Sequence, residues 1–134
     1  MRDHGTVRDW MTRQPVGVPV DCPVAKALAV MNRVGVRHLL VMDGDRLAGI
    51  VSNRDVRRLL EDPEHPAHLS DPVSRIMTGG PVTVAPEAPL TVAARILLEQ
   101  KIGALPVREG DAIVGIFTTA DALDALLRLV EGAR

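Results

Sequence analysis

Aromatic residues, cysteine and excess charge of one sign are all scarce in this 134-residue sequence. One Trp, one Phe and no Tyr argue against a platform for single-stranded nucleic acid, because bases stack on aromatic faces. With a formal net charge of -1, the chain lacks the excess positive charge that binding to duplex DNA or an anionic membrane requires.

Long apolar runs and paired cysteines are also missing. No run approaches the roughly 20 residues of a membrane helix, and the charged residues 1–10 lack the apolar stretch of a signal peptide. Cys22 stands alone, so no intrachain disulfide is available. These absences favour a cytoplasmic protein that binds neither nucleic acid nor a membrane.

Aliphatic residues and internal repetition are what the sequence has in abundance. The chain is 46% hydrophobic, which is enough for a buried core. A shift of 66 residues aligns 7–60 with 73–126 without a gap, and 16 of the 54 aligned positions are identical. One such copy buries too little surface to be stable alone. Two copies are therefore expected to share a core with pseudo-twofold symmetry.

Each copy has the pattern of a βαββα unit, so the predicted fold class is α+β with tandem repeats. Pro23 and Pro89 stand where a helix begins, a place that tolerates a missing N–H. Gly44 and Gly110, each between acidic residues, predict hairpin turns. The strands are predicted at 16–20, 38–42, 47–52, 82–85, 104–108 and 113–118, and the second helices at 55–60 onward and 121–130.

A proline-rich stretch divides the copies. The predicted boundaries are 1–60 for the first domain with its N-terminal segment, 61–72 for the linker and 73–134 for the second domain. His65 and His68 have neither the spacing of a helical metal pair nor a cysteine partner, which favours a solvated loop over a metal site.

The residues best suited to bind a ligand stand at two predicted helix starts, Ser52-Asn53-Arg54-Asp55 and Thr118-Thr119-Ala120-Asp121. A carboxylate there can accept two hydrogen bonds from a ribose diol, and nearby N–H groups with the helix dipole favour a phosphate. The same spacing also describes a helix capping box, which is the commoner role of either tetrapeptide alone. Both roles are compatible if the hydroxyl caps the helix while the carboxylate faces a cleft.

Longer motifs carry a family resemblance. Gly49-Ile-Val-Ser52-Asn-Arg-Asp55 and Gly115-Ile-Phe-Thr118-Thr-Ala-Asp121 resemble the motif with which CBS domains begin their last helix. Met11-Thr12 and Met77-Thr78 before the first strand, and the second strands at 36–41 and 102–107, are similar to that family as well. The resemblance covers nearly the whole chain and is to a stand-alone CBS-domain pair, or Bateman module.

The resemblance implies a regulatory module whose clefts between repeats bind AMP, ADP, ATP or S-adenosylmethionine, with no further cofactor. It also implies a homodimer, whose state an unknown protein partner would read. Asp55 and Asp121 would hold the riboses. Asp121 and Thr118 would face Val16, Gly17 and Val18 with Arg37 and His38 nearby, and Asp55 and Ser52 would face Val82, Thr83 and Val84 with Gly103, Ala104 and Leu105 nearby.

The two copies differ in charge at these positions. Arg37, His38 and Arg54 in the first copy match Gly103, Ala104 and Ala120 in the second. Cationic side chains suit phosphate recognition, so the two clefts are expected to differ in affinity. A solvated surface role is equally open for the two arginines, and a structural role is favoured for His38.

Other readings remain in view. A ligand-free scaffold that dimerises for a partner protein is the alternative function. An enzyme is not expected, because the sequence has no nucleophile–base pair, no Gly-rich phosphate loop followed by Lys and no metal cluster.

Trp10 is expected to anchor the N-terminal segment. An apolar stripe on the last helix is either a dimer surface or intrachain core, and its members are Leu123, Leu126, Leu127 and Val130.

Overall fold

The computed structural model describes residues 4–64 and 68–132. Its elements confirm an α+β fold built from repeated βαββα units. In chain order they are α1 (Val7–Trp10), β1 (Thr12–Arg13), β2 (Gly17–Pro19), α2 (Val24–Val34), β3 (His38–Asp43), β4 (Arg46–Ser52), α3 (Asn53–Glu61), a 3-10 turn (Val73–Arg75), β5 (Thr78–Gly79), α4 (Leu90–Gln100), β6 (Ala104–Glu109), β7 (Ala112–Thr118) and α5 (Thr119–Gly132).

The chain forms two compact units, whose boundaries differ from those expected. Val16–Pro81 forms one unit, around a sheet with the strand order β2-β3-β4-β5. The segment up to Pro15 joins the chain from Val82 onward in the other, around the sheet β1-β7-β6. The N-terminal segment therefore packs with the second repeat, although its sequence position suggested the first.

The core of the Val16–Pro81 unit follows the apolar periodicity of α2. Val24, Ala27 and Met31 recur on one helical face and are buried. They pack in one cluster with Leu39 and Val41 of β3, which are both fully buried. In this sheet β2 runs parallel to β3, and β3 pairs antiparallel with β4 through a two-residue turn.

The core of the other unit has the same plan. Buried residues of α4 pack with Leu105 and Phe117, which have no exposed surface. Trp10 lies against this cluster, and its Nε1 donates a hydrogen bond to the backbone oxygen of His4 at 2.9 Å. This contact confirms that Trp10 anchors the N-terminal segment. Arg8 adds hydrogen bonds to Glu87 at 3.0 and 2.8 Å.

The strand predicted at 82–85 is wrong, since only a single bridge between Val84 and Val107 forms there. In the first repeat the N–H of Leu40 donates to the carbonyl of Val16 at 3.0 Å. Pro106 occupies the matching position of the second repeat and has no N–H to donate. The lost hydrogen bond reduces the pairing of this segment with β6 to the two backbone bonds of Val84, whose N–H donates to Pro106 O at 3.1 Å and whose carbonyl accepts from Arg108 N at 2.9 Å.

Two glycines explain the repeated Met-Thr pairs that precede each first strand. A Cβ on Gly115 would lie 2.5 Å from Met11 Sδ and 2.8 Å from the carbonyl oxygen of Thr12. A Cβ on Gly49 would likewise lie 2.7 Å from Met77 Sδ. Only glycine permits this close approach of the two backbones. The contact at Gly115 fixes β1 beside β7, and so sets the position of Thr12.

The apolar stripe on α5 is exposed, so the intrachain-core interpretation is wrong. Its four members lie on one face by their spacing, and each retains more than half of its accessible surface. Ala125, on the opposite face of the helix, is buried and packs into the core. The exposed members are Leu123, Leu126, Leu127 and Val130, hereafter the α5 leucine face.

Candidate ligand-binding site

Asp55 turns one carboxylate oxygen back onto the start of its own helix. Its Oδ2 accepts hydrogen bonds from Ser52 N at 2.8 Å and Ser52 Oγ at 2.9 Å. Ser52 Oγ in turn accepts one from Asp55 N at 3.2 Å. The two residues form a full capping box. The capping box, which the sequence offered as the commoner role, is therefore confirmed for this tetrapeptide.

Asp121 does the same in the second repeat. Its Oδ2 accepts from Thr118 N at 2.8 Å and Thr118 Oγ1 at 3.0 Å. A third acid, Asp9, accepts from Thr6 N at 2.8 Å at the start of α1, where no binding site was predicted. Capping by an aspartate is thus a general device of this chain, and is not by itself a sign of ligand binding.

The second carboxylate oxygen distinguishes the two predicted acids. Asp55 Oδ1 has no hydrogen-bond partner among residues 4–64 and 68–132. Asp121 Oδ1 accepts a hydrogen bond from Thr12 Oγ1 at 3.0 Å, and the same hydroxyl lies 3.3 Å from Asp121 Oδ2. Sequence reasoning missed Thr12. The repeated Met-Thr pair was the signal that could have drawn attention to it.

In the Val16–Pro81 unit, the predicted residues meet at one edge of the sheet. Asn53 N, at the start of α3, donates to the carbonyl oxygen of Arg37 at 2.9 Å. His38 is the cross-strand partner of Ser52. Gly17 pairs with Leu40, two residues further along β3. The start of β2, the start of β3 and the acid-bearing helix start therefore lie side by side. Gly17, Arg37 and His38 thus adjoin Asp55 of their own repeat, whereas the resemblance implied that they would face Asp121.

The second repeat assembles the matching edge. Thr119 N donates to the carbonyl oxygen of Gly103 at 3.1 Å, and Ala104 pairs with Thr118. Val84 N donates to the carbonyl oxygen of Pro106 at 3.1 Å, which brings the segment of Val82 and Thr83 to this edge.

Several predicted site residues point their side chains into a core. Because their side chains are buried, these residues could contact a ligand only through backbone groups. The other predicted residues near them are accessible, since Gly17 and Val82 are exposed and Thr83 is half-buried. The buried members are Val18, Val84, Ala104 and Leu105.

Charges cluster around the half-buried His38. Burial lowers the pKa of His38 below its usual 6.5, the carboxylate of Asp55 opposes that shift, and Arg37 and Arg54 reinforce it. The two arginines are exposed, and Asp55 is half-buried. The imidazole makes no hydrogen bond within the described part of the chain. The expected structural hydrogen bond to His38 is therefore not seen there.

The lowered pKa of His38 predicts a pH dependence of stability. As the pH falls below 6.5, the unfolded chain takes up a proton at this residue before the folded protein does. Acid therefore lowers the free energy of unfolding. His38→Gln is expected to flatten this fall, measured by urea denaturation at a series of pH values from 7.5 to 5. An identical slope in the two proteins would contradict the prediction.

The weaker candidates from the sequence are Cys22, His65 and His68. Burial raises the pKa of the Cys22 thiol, which favours its inert protonated form. His65 lies outside the described residues. His68 Nδ1 lies 3.0 Å from Asp71 Oδ2. Within residues 4–64 and 68–132, no group of three or more His, Cys, Asp or Glu side chains is placed to hold a metal ion.

The family model of the CBS domain matches this chain twice, at residues 7–62 and 73–128. The chain belongs to the CBS-domain family. It is a CBS-domain pair, with one family domain for each of the two repeats. None of the described helices is both long and apolar enough to cross a membrane.

Relatives of this CBS pair cover it almost completely. A CBS domain-containing protein of Dictyostelium discoideum is 30% identical over 135 residues, which span 93% of each chain. The crystal structure of CBSX2 in complex with AMP is 30% identical, with a TM-score of 0.82 over 94% of this chain and 98% of CBSX2.

Another relative is a much longer protein. The A-adding tRNA nucleotidyltransferase of Geobacter sulfurreducens is 29% identical over 118 residues. The match takes in 88% of this CBS pair but only 13% of that protein.

Proposed function

We propose that this CBS pair is a regulatory module that binds an adenosine-containing ligand, and that Asp55 holds the ribose of that ligand. The observation that carries the proposal is the unpartnered Oδ1 of Asp55, among the residues described, at an edge that also holds Arg37, His38 and Arg54. Support comes from CBSX2, a relative of 30% identity that was crystallised with AMP.

The capping box makes Asp55 suitable for this role. Its Oδ2 is fixed by two hydrogen bonds from Ser52, so the carboxylate is held in one orientation before any ligand arrives. A preorganised group loses little conformational freedom on binding. Oδ1 then offers two lone-pair directions, which suit the two hydroxyls of a ribose. The capping and binding roles thus use different oxygens of one side chain.

Exposed cations next to this acid suit the phosphate of the ligand. Arg54 stands directly before Asp55, and Arg37 lies at the adjoining start of β3. A bound phosphate would favour protonation of His38, so an AMP-type ligand is proposed to bind more tightly in mild acid. Exposed backbone at Gly17 and the half-buried side chain of Val16 remain available for an adenine ring.

The matching edge of the second repeat is proposed as a second binding site with lower affinity for the ligand. Asp121 and Thr118 would approach the sugar there, with Val82, Thr83, Gly103 and backbone groups of the buried residues near the base. No cationic side chain adjoins Asp121 in sequence, since Ala120 replaces Arg54. AMP, ADP, ATP and S-adenosylmethionine are the proposed ligands, and no catalytic step or further cofactor is proposed.

Titration calorimetry with AMP, ADP, ATP and S-adenosylmethionine tests the proposal. At least one of them is expected to bind and to raise the melting temperature, because a ligand that prefers the folded state stabilises it. Guanosine monophosphate is the matched control for the base, and it is expected to bind more weakly than AMP. The absence of heat and of a thermal shift with all four ligands would overturn the proposal.

A scaffold that dimerises for a partner protein is the second candidate. It is favoured by the capping role of both acids, which gives each a structural purpose, and by the exposed α5 leucine face. Under this alternative, Asp55→Ala and Asp121→Ala would weaken helix caps but leave dimerisation intact. Under the first candidate, Asp55→Ala would also remove nucleotide binding.

Both candidates include a homodimer, for which the α5 leucine face is the proposed contact. The four members keep 55–59% of their surface exposed on one side of α5, so a twofold contact would set this apolar patch against the same patch of the second copy.

Placing two charges on the α5 leucine face is expected to give a monomer. The double variant Leu126→Glu with Leu127→Glu would bury four carboxylates per twofold contact, while each single chain keeps its fold because both positions are exposed. Light scattering after size-exclusion chromatography measures the mass. Leu69→Glu, at an exposed position in the linker, is the control and should remain dimeric. An unchanged mass for the double variant would rule out this face.

A further inference from the structure

The two ribose-binding acids of the proposed function are not equivalent, and Thr12 makes the difference. Thr12 Oγ1 lies 3.0 Å from Asp121 Oδ1 and 3.3 Å from Oδ2. Thr78 is the matching residue of the other repeat, and its backbone pairs with Ile50 as that of Thr12 pairs with Ile116. Thr78 nevertheless makes no hydrogen bond to Asp55 within the described parts of the chain.

Thr12 is not a loose surface hydroxyl. Met11, one residue before it, is buried over Gly115 in the core. The helix α1 begins four residues before Met11, and its Arg8 donates hydrogen bonds to Glu87 and forms an ion pair with Glu109. These contacts hold β1 against β7 and keep the Thr12 hydroxyl directed at Asp121. The hydroxyl is thus a built-in donor to this carboxylate.

The hydrogen bond from Thr12 to Asp121 matters because a ribose hydroxyl would donate the same kind of bond to the same carboxylate. A ribose hydroxyl binds a carboxylate by donating a hydrogen bond, as the Thr12 hydroxyl does. Asp121 Oδ2 already accepts two bonds from Thr118, and Oδ1 accepts one from Thr12. A vicinal diol could reach Asp121 with both hydroxyls only by displacing Thr12. Asp55 Oδ1 carries no such donor among the described residues.

We propose that Thr12 is an intramolecular competitor of the ligand at Asp121, so that each chain binds one nucleoside phosphate with high affinity, at Asp55. This inference rests on the proposed function. The charge pattern supports it independently, because Arg54 stands beside Asp55 where Ala120 stands beside Asp121. Thr12 therefore determines the affinity difference between two otherwise similar acids, and the ligand class is a ribonucleoside phosphate with a free 2′,3′-diol.

The test compares Thr12→Val with its repeat-matched control Thr78→Val by calorimetric titration with AMP. Valine keeps the shape of threonine but cannot donate a hydrogen bond. The wild-type chain is expected to bind one AMP tightly. Thr12→Val should show a second binding event about tenfold stronger than any weak second event in the wild type. Thr78→Val and Thr12→Ser, which keeps the hydroxyl at position 12, should behave as the wild type.

The outcomes separate this inference from the proposed function. If AMP binds the wild type but Thr12→Val gains no second event, or if Asp121→Asn abolishes the tight site while Asp55→Asn keeps it, the competitor role is refuted. If AMP and the other three ligands fail to bind any variant that retains the circular dichroism spectrum of the wild type, the proposed function itself is refuted.

Discussion

Phe117→Ala is expected to lower the free energy of unfolding by about 3–5 kcal/mol. Phe117 has no exposed surface and is the one phenylalanine of the chain. It packs with buried residues of α1, α4, α5 and β6, so its removal leaves a cavity where several elements of the unit meet. Urea denaturation followed by circular dichroism measures the change.

Val51 is the matched control, because it occupies the position of Phe117 in the first repeat and is also fully buried. Val51→Ala removes two methyl groups, which predicts a smaller loss of about 2 kcal/mol. A loss below about 1 kcal/mol for Phe117→Ala would contradict the described packing, since removal of a fully buried phenyl ring typically costs about 3–5 kcal/mol.

Asp55→Asn is expected to weaken AMP binding about 100-fold or more. The variant keeps one side-chain oxygen that can accept from Ser52 N, so the helix cap survives in large part. It loses the negative charge, and hydrogen bonds to charged groups contribute about 1.5–3 kcal/mol each. The loss of two such bonds from a ribose diol gives the predicted weakening. Calorimetric titration measures it, with urea denaturation to show that folding is retained.

Asp9→Asn is the control for this variant. Asp9 caps α1 as Asp55 caps α3, through the same pattern of threonine or serine followed three residues later by aspartate. It belongs to no proposed binding site. AMP affinity is therefore expected to stay unchanged in Asp9→Asn. Equal AMP affinity in Asp55→Asn and the wild type would remove Asp55 from the site.

The repeat made most of the fold predictable. Each hairpin was visible because Gly44 and Gly110 stand at turns, where they adopt φ values of 60° and 62°. The first helices were visible because Pro23 and Pro89 fix their starts. These residues set the local backbone conformation, and the folded state keeps that conformation where tertiary packing favours it as well.

The missing strand at 82–85 was predictable in principle. The apolar alternation of Val82 and Val84 suggested a strand, but Pro106 on the neighbouring strand had to be counted as a missing donor. Hydrogen bonding across a sheet depends on both partners. The apolar alternation at 82–85 therefore could not show that Pro106, on the neighbouring strand, lacks an N–H group to donate.

The environment of the two acids was only partly predictable. The capping boxes of Asp55 and Asp121 follow from a spacing of three residues, and they were considered as an alternative. The bond between Thr12 and Asp121 joins residues 109 positions apart, and depends on β1 pairing with β7. Since the N-terminal segment was assigned to the first repeat, no local pattern led to this contact.

A crystal structure of the protein with saturating AMP is the decisive test of whether Asp55 holds the ribose. We expect the ribose hydroxyls of bound AMP to lie within hydrogen-bonding distance of Asp55 Oδ1, while Oδ2 remains bonded to Ser52. AMP bound with its ribose away from Asp55, or crystals with no AMP at this edge at saturating concentration, would contradict it.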